Sequence, residues 1–395
     1  MAPEICMFCE NLAGSEEHVF LSSLGGRAVT RRAMCLDCNN SFASEETGKV
    51  DDALAEALIQ IRNALKIWTG RGKPPPTILR AGTMDDGVEF DLAPGVVPLV
   101  RAAQIPDQLV QGQVIVARDV KDAKRLKTIF EKRKWPLSTE QAVLVTKKVP
   151  TVRIRTSFDG NKVWRCVAKT AVVGCVVLYG NDQAKAVISP EVLTSIRHGI
   201  PPIGRFAGWD YVNDWPQITS LTPHQNTPDA SLSGFEHSLI FTDVRDRLVA
   251  YVELFGGWRF SVNLGPKAGL PLRGIVPNPR SLKPARFEVN AIAPDSYLPR
   301  TEQSFKAEHQ EVWAEVTVAA NRAMERWKIE SQEQYAQNLS DDLIRAVSDA
   351  GENESQRQKV IDDFAAKLVL VEWGESWETD LGSLLNEDAE VEGSR

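Results

Sequence analysis

Two Cys-x-x-Cys pairs, Cys6/Cys9 and Cys35/Cys38, limit this chain more than any other feature. Four thiolates in two such pairs make a tetrahedral cage of soft ligands, which suits structural zinc. So short a stretch has little core of its own, so the metal is expected to hold it together. The interval between the pairs is longer than in a common zinc ribbon and is expected to carry something further. It holds Glu17-His18, followed by the apolar Val19, and Gly25-Gly26, which permits a tight turn. Two amides, Asn39 and Asn40, directly follow the last cysteine.

The order CxxC, EHVFxxSLGGR, CxxCNNxF resembles the HNH endonucleases, in particular those whose first motif reads Glu-His. The resemblance covers about the first 50 residues. It implies a zinc-stapled ββα-metal unit, in which a strand carries the acid-His pair and a second strand leads into a helix bearing the closing amide. By motif position it implies His18 as general base and Glu17 and Asn39 as ligands of a catalytic divalent ion. Asn40 is a second amide that the motif does not assign. The middle Asn that often orients the base in this family has no counterpart, because no Asn lies between His18 and Cys35. A backbone carbonyl of the Arg27–Met34 segment is the expected replacement.

These residue types suit the chemistry. Phosphodiester hydrolysis needs a polarised water, a base and a cation on the leaving oxygen. A histidine of ordinary pKa is available as a base at neutral pH. Carboxylate and amide oxygens are hard donors suited to Mg²⁺ or Mn²⁺.

Composition is that of an ordinary globular protein, with 43% hydrophobic and 25% charged residues over 395 positions. No apolar run reaches 18 residues; the strongest, Cys166 to Tyr179, contains Lys169. No basic stretch followed by an apolar core opens the sequence, so no signal peptide and no membrane association are expected. Cys166 and Cys175 read as small core residues, and a reducing cytoplasm is the expected setting. Net charge is −7, yet residues 101–170 hold 16 Lys and Arg against 6 Asp and Glu, while residues 301–395 hold 9 against 22. Such asymmetry suits a basic surface that meets phosphate; pairing of the basic segment with the acidic one is the alternative.

The sequence divides into an HNH unit at 1–50, a linker helix and Pro-rich linker at 51–76, an α+β domain at 77–300 and an acidic helical segment at 301–395. The fold class is therefore α+β. Residues 39–49 complete the helix of the first unit. Leu54, Leu58, Ile61, Leu65 and Trp68 predict an amphipathic helix over 51–68, and GRGKPPP reads as a stiff linker. Strands are expected at 88–92 and 113–117, and a hairpin over 143–149 and 152–158. A basic helix over 119–134 would pack Leu126, Ile129 and Phe130 inward and expose Lys124, Arg125, Lys127, Lys132, Arg133 and Lys134 to a phosphate backbone or to solvent. Residues 163–179 predict a buried helix, 189–198 a helix with Ser189, Pro190 and Gly199 as its signals, and 236–264 a meander. The proline-rich 271–299 reads as irregular, and 301–374 as helical. His237 sits in an isolated Glu-His pair and reads as structural.

The expected function is that of a metal-dependent endonuclease acting on DNA, with RNA left open. A bacterial defence or mobile-element effector would suit a regulatory or DNA-positioning C-terminal region. A protein partner or homo-oligomer is left open. The rival readings are a non-catalytic zinc-stabilised nucleic-acid-binding module and an interaction protein.

Overall fold

The most apolar run of the sequence becomes a helix buried along most of its length. The computed structural model describes residues 4–44, 49–83, 89–101, 117, 120–135, 143–146, 158–210, 214–223, 234–281, 286–297, 302–351, 353–362 and 377–380. In chain order the elements are β1 (Glu17–His18), β2 (Val29–Thr30), α1 (Leu36–Ala43), α2 (Val50–Ala57), α3 (Ile59–Ala64), β3 (Ile78–Thr83), β4 (Glu89–Ala93), β5 (Val97–Val100), α4 (Val120–Lys132), β6 (Val143–Thr146), α5 (Gly160–Tyr179), α6 (Asn181–Val187), α7 (Pro190–His198), β7 (Ala207–Trp209), β8 (Gln217–Pro223), β9 (Ser238–Val244), β10 (Arg247–Leu254), β11 (Trp258–Pro266), β12 (Arg273–Pro277), β13 (Arg286–Ile292), α8 (Glu302–Asp349) and β14 (Trp377–Asp380). This is a mixed α+β protein with several separate sheets. No described helix is long and apolar enough to cross a membrane.

Packing divides the chain into two units. Met1–Pro76 with Arg155–Trp327 forms one, and Thr77–Ile154 with Lys328–Arg395 the other. In the first, α5 is the axis. Residues Val163 to Val176 are all buried, as a helix apolar on every side requires. It packs on α2, α6, α7 and β1, and on β7, β9, β10 and β11 of a seven-stranded antiparallel sheet ordered β7-β11-β10-β9-β12-β13-β8. The approach to the sheet is close, because a Cβ at Gly174 would stand 2.1 Å from Leu239 Cδ2. Arg165 holds the end of α7, donating to the carbonyls of Ile196 (2.8 Å) and Arg197 (2.7 Å), where a helix leaves its last carbonyls unpaired.

The cysteine-bearing N-terminus shares this core. Phe8, Val19, Phe20, Leu24, Met34 and Phe42 belong to the same apolar cluster as α5. Its backbone is tied down by side chains from elsewhere: Asn181 Nδ2 donates to the carbonyls of Ile5 and Arg32, and Arg197 Nη1 donates to that of Phe8. His237 is structural, as its sequence context suggested. Its Nε2 donates to Leu24 O at 2.9 Å and its Nδ1 accepts from Phe255 N at 3.1 Å, joining the Ser22–Leu24 turn to the sheet.

In the second unit, β3, β4 and β5 form an antiparallel sheet and β6 pairs with β14. The basic helix forms as α4, with Leu126 and Phe130 buried and Ile129 partly so. The strand expected at 113–117 lies almost wholly outside the described residues, as do 147–157 of the expected hairpin. The meander forms as β9-β10-β11.

Three expectations need correction. The helix at 39–49 instead spans Leu36–Ala43. The helix at 51–68 is two, broken at Leu58, and the second ends in a Schellman-type turn: Ile67 N bonds Arg62 O, Lys66 N bonds Asn63 O, and Lys66 takes the left-handed conformation at φ 53°. Trp68 is therefore outside the helix and exposed. Residues 271–299 are not irregular throughout, since β12 and β13 add to the sheet; Phe287, Val289 and Ala291 alternate as a strand does, and the flanking prolines masked the pattern.

Candidate functional site

The four cysteines converge. Their sulfurs all lie within 4.8 Å of one another, with Cys9 3.5 Å from Cys35 and 3.6 Å from Cys38. A tetrahedron with metal–sulfur bonds of about 2.3 Å has edges of about 3.8 Å, so the cluster is close enough to hold a metal ion and is compatible with structural zinc. All four are free thiols. The knuckles meet because Met7 N bonds Ala33 O and both Gly14 N and Ser15 N bond Met34 O. Phe8 N donates to Cys6 Sγ and Cys38 N to Cys35 Sγ, each at 3.4 Å. Burial and the Cys6 charge push the Cys38 thiol far up. At Cys35 burial is outweighed by hydrogen bonds from the Cys38 N–H and the neighbouring thiols, and its pKa falls to about 7. Four thiolates can coexist in so small a volume only around a cation.

Beside the cluster, β1 and β2 pair antiparallel, Glu17 opposite Thr30 and His18 opposite Val29, and the chain then enters α1. Successive residues of a strand point to opposite faces. Glu17 faces α5. Its Oε1 lies 3.0 Å from Nζ of Lys169, which also lies 2.6 Å from Asp51 Oδ1 and 2.7 Å from Asp51 Oδ2. Lys169 is 1% exposed and Glu17 6%. Cys166 Sγ donates to Asp51 Oδ1 at 3.8 Å, and the ammonium sits 5.1 Å from the centre of the Phe42 ring. Burial raises the Glu17 carboxyl above its usual range, with Lys169 opposing. Burial works against the charge on Lys169 too, but Asp51 and Glu17 outweigh it and its pKa is raised. One buried ammonium thus serves two carboxylates.

His18 Nε2 faces the Thr69–Lys73 turn, 3.3 Å from where a Cβ on Gly70 would stand. Burial first, then the positive charge of Arg71, lower its pKa, with Glu16 opposing. The imidazole is accordingly neutral at pH 7. Among the described residues the ring has no hydrogen-bond partner, so the expected carbonyl of Arg27–Met34 does not fix its tautomer. Asn39, on the first turn of α1, uses its Nδ2 to reach Ser15 Oγ (2.8 Å) and Glu16 O (3.0 Å), and Asn40 is exposed. The carboxylate of Glu17 is thus engaged by Lys169, whereas the hydrogen bonds of Asn39 use its amide nitrogen and not the Oδ1 through which an amide binds a cation.

The six cations assigned to phosphate sit on and just after α4, in the second unit. Arg125, Lys132, Arg133 and Lys134 are exposed and Lys124 and Lys127 half-buried. Arg125 pairs with Asp122 at 2.8 Å, and Arg133 lies over the Trp135 ring.

Sequence reasoning missed Lys169, Asp51 and the Thr69–Lys73 turn. A single lysine inside an otherwise apolar helix was the available signal for the first. No family model, curated protein or solved structure matches this chain.

Proposed function

We propose that this chain is a metal-dependent HNH-type endonuclease that hydrolyses phosphodiester bonds in DNA. The observation that carries the reading is one strand–strand–helix unit in which Glu17-His18, the four-thiol cluster and Asn39-Asn40 occur together. In this reading the cluster holds one structural Zn²⁺ and keeps β1, β2 and α1 in register. His18 is the general base. It is neutral at pH 7 and keeps a ring nitrogen free to take a proton from the attacking water. A bound Mg²⁺ or Mn²⁺ would stabilise charge on the phosphate and the leaving oxygen. Glu17 and Asn39 remain its assigned ligands, and Glu17 would first have to leave Lys169. The second unit, with its basic helix, positions DNA or regulates cleavage.

A second reading, a non-catalytic zinc-stabilised nucleic-acid-binding module, is favoured by one observation: the carboxylate of Glu17 is spent on Lys169. Supercoiled plasmid incubated with the protein and Mg²⁺ or Mn²⁺ separates the two. Nicked or linear product that disappears with chelator or with His18→Ala supports the endonuclease. Intact plasmid with every divalent ion leaves the binding module.

A further inference from the structure

The segment Gly70–Pro76 reads in sequence as a linker, but its first residues are built into the wall of the His18 site. Thr69 N bonds Lys73 O, Gly72 N bonds Thr69 O, and Lys73 N bonds Thr69 Oγ1, each at 2.9 Å. Gly72 supplies the left-handed residue, φ 78°, that this tight turn needs. The turn is then fixed to the Ser22–Arg27 loop. Gly70 N bonds Ser22 O at 2.8 Å, and Arg27 Nη1 donates to Gly70 O at 3.2 Å while its Nε donates to Ser281 O. Approach is so close that a Cβ on Gly70 would stand 1.9 Å from Gly26 O. The residue after Gly70, Arg71, is exposed and its charge is felt at His18, whose Nε2 lies against Gly70, and Lys73 in the same turn is exposed too.

Arg71 and Lys169 both act on His18 as cations, and Glu16 is the opposing charge. Lys169 is sealed in the core and cannot reach a ligand. It is already offset by Glu17 and Asp51, which leaves Arg71 as the exposed cation that acts on His18. The planar fork of Arg71 suits two oxygens of one phosphate. Holding the backbone on both sides of Gly70 reduces the entropy lost when that side chain engages.

We infer that Arg71 is the phosphate-contacting residue of the His18 site, held there by the Thr69–Lys73 turn, and that its ligand is a backbone phosphodiester of nucleic acid. This rests on the proposed nucleic-acid function but not on cleavage. Arg71 is a binding residue, and the turn acts through it by positioning.

The test uses the full-length zinc-loaded protein in a His18→Ala background, so that no cutting interferes, with binding of a duplex oligonucleotide followed by fluorescence anisotropy across salt. Arg71→Gln should weaken binding about 10-fold at low salt and reduce the slope of log K against log salt by about 0.9, the value for one phosphate no longer neutralised. Arg71→Lys should recover part of the loss. Gly70→Ala keeps the charge but pushes the turn off the loop, and should lose nearly as much as Arg71→Gln. In protein with native His18, inorganic phosphate should shift the His18 ring resonance, and Arg71→Gln should abolish that shift. Unchanged affinity and slope in folded, zinc-replete Arg71→Gln overturn the inference, as does a phosphate-induced His18 shift that survives the substitution. A chain that binds duplex through Arg71 but never cuts keeps this inference and sinks the endonuclease.

Discussion

Two buried ionisable residues set the terms at the scale of single side chains. Lys169 pairs with both Glu17 and Asp51 from inside α5, so it joins three segments distant in sequence. Lys169→Met should cost about 3–5 kcal/mol of unfolding free energy, because it strands two carboxylates, one of them buried. Denaturant melts compare it with the Glu17→Gln/Asp51→Asn/Lys169→Met triple variant, which removes the stranded charge and should recover part of the loss. His237 gives a pH signature. Burial lowers its pKa to about 4, against about 6.5 for a free imidazole. The unfolded chain therefore takes up a proton that the folded chain refuses. Stability is complete above about pH 6.5 and is lost as pH falls towards 4, by about 3 kcal/mol from this one group. The His237 ring meets Phe20, Phe255 and backbone, and no charged group among the described residues offsets the effect. Urea melts between pH 4 and 7 should be flatter for His237→Gln than for the native chain.

Elements with local signals were legible at the sequence level. Four cysteines announced their cluster by spacing, α5 by a continuous apolar run, α7 by Pro190 and Gly199, and the meander by alternation broken at Arg245-Asp246 and Gly256-Gly257. What was hidden depended on partners far along the chain. Nothing near Asp51 marks it as the counter-ion of Lys169, and nothing in GRGKPPP says that Gly70 will lie against Gly26. Proline misled over β12 and β13, where it flanks or ends a strand rather than interrupting it. The candidate site was legible as a set of residues but not as a geometry. Glu17 and His18 were read as one site, yet Glu17 turns to the core and His18 to the Gly70 turn. The basic helix α4 was legible too, and its role is open to measurement. Neutralising Lys132, Arg133 and Lys134 together should weaken duplex binding and flatten its salt dependence, because the slope falls by about 0.9 for every phosphate that a cation no longer neutralises. An unchanged slope would assign those charges to solvent.

On the scale of the whole molecule, the N-terminal module is not an appendage. It shares one apolar core with α5 and the seven-stranded sheet, and Asn181, Arg197 and His237 pin its backbone. Metal loss should therefore be felt beyond the first 50 residues. Cys9→Ser, or zinc removal by chelator, should lower the melting temperature of the unit built on α5 rather than melt a separate small domain. A calorimetric trace with an unchanged main transition would argue against that coupling. The same dependence explains how cleavage chemistry would be kept in place, since β1 carries His18 on one face and the Lys169 ion pair on the other. The proposed function stands on His18 as the base of a phosphodiester-cleaving site. Its most direct test is the single-turnover nicking rate of His18→Ala against the native chain, at matched zinc content and saturating Mg²⁺ or Mn²⁺. A loss of about 10²–10⁴-fold with duplex affinity unchanged is expected; equal rates for the two proteins would contradict His18 as the base.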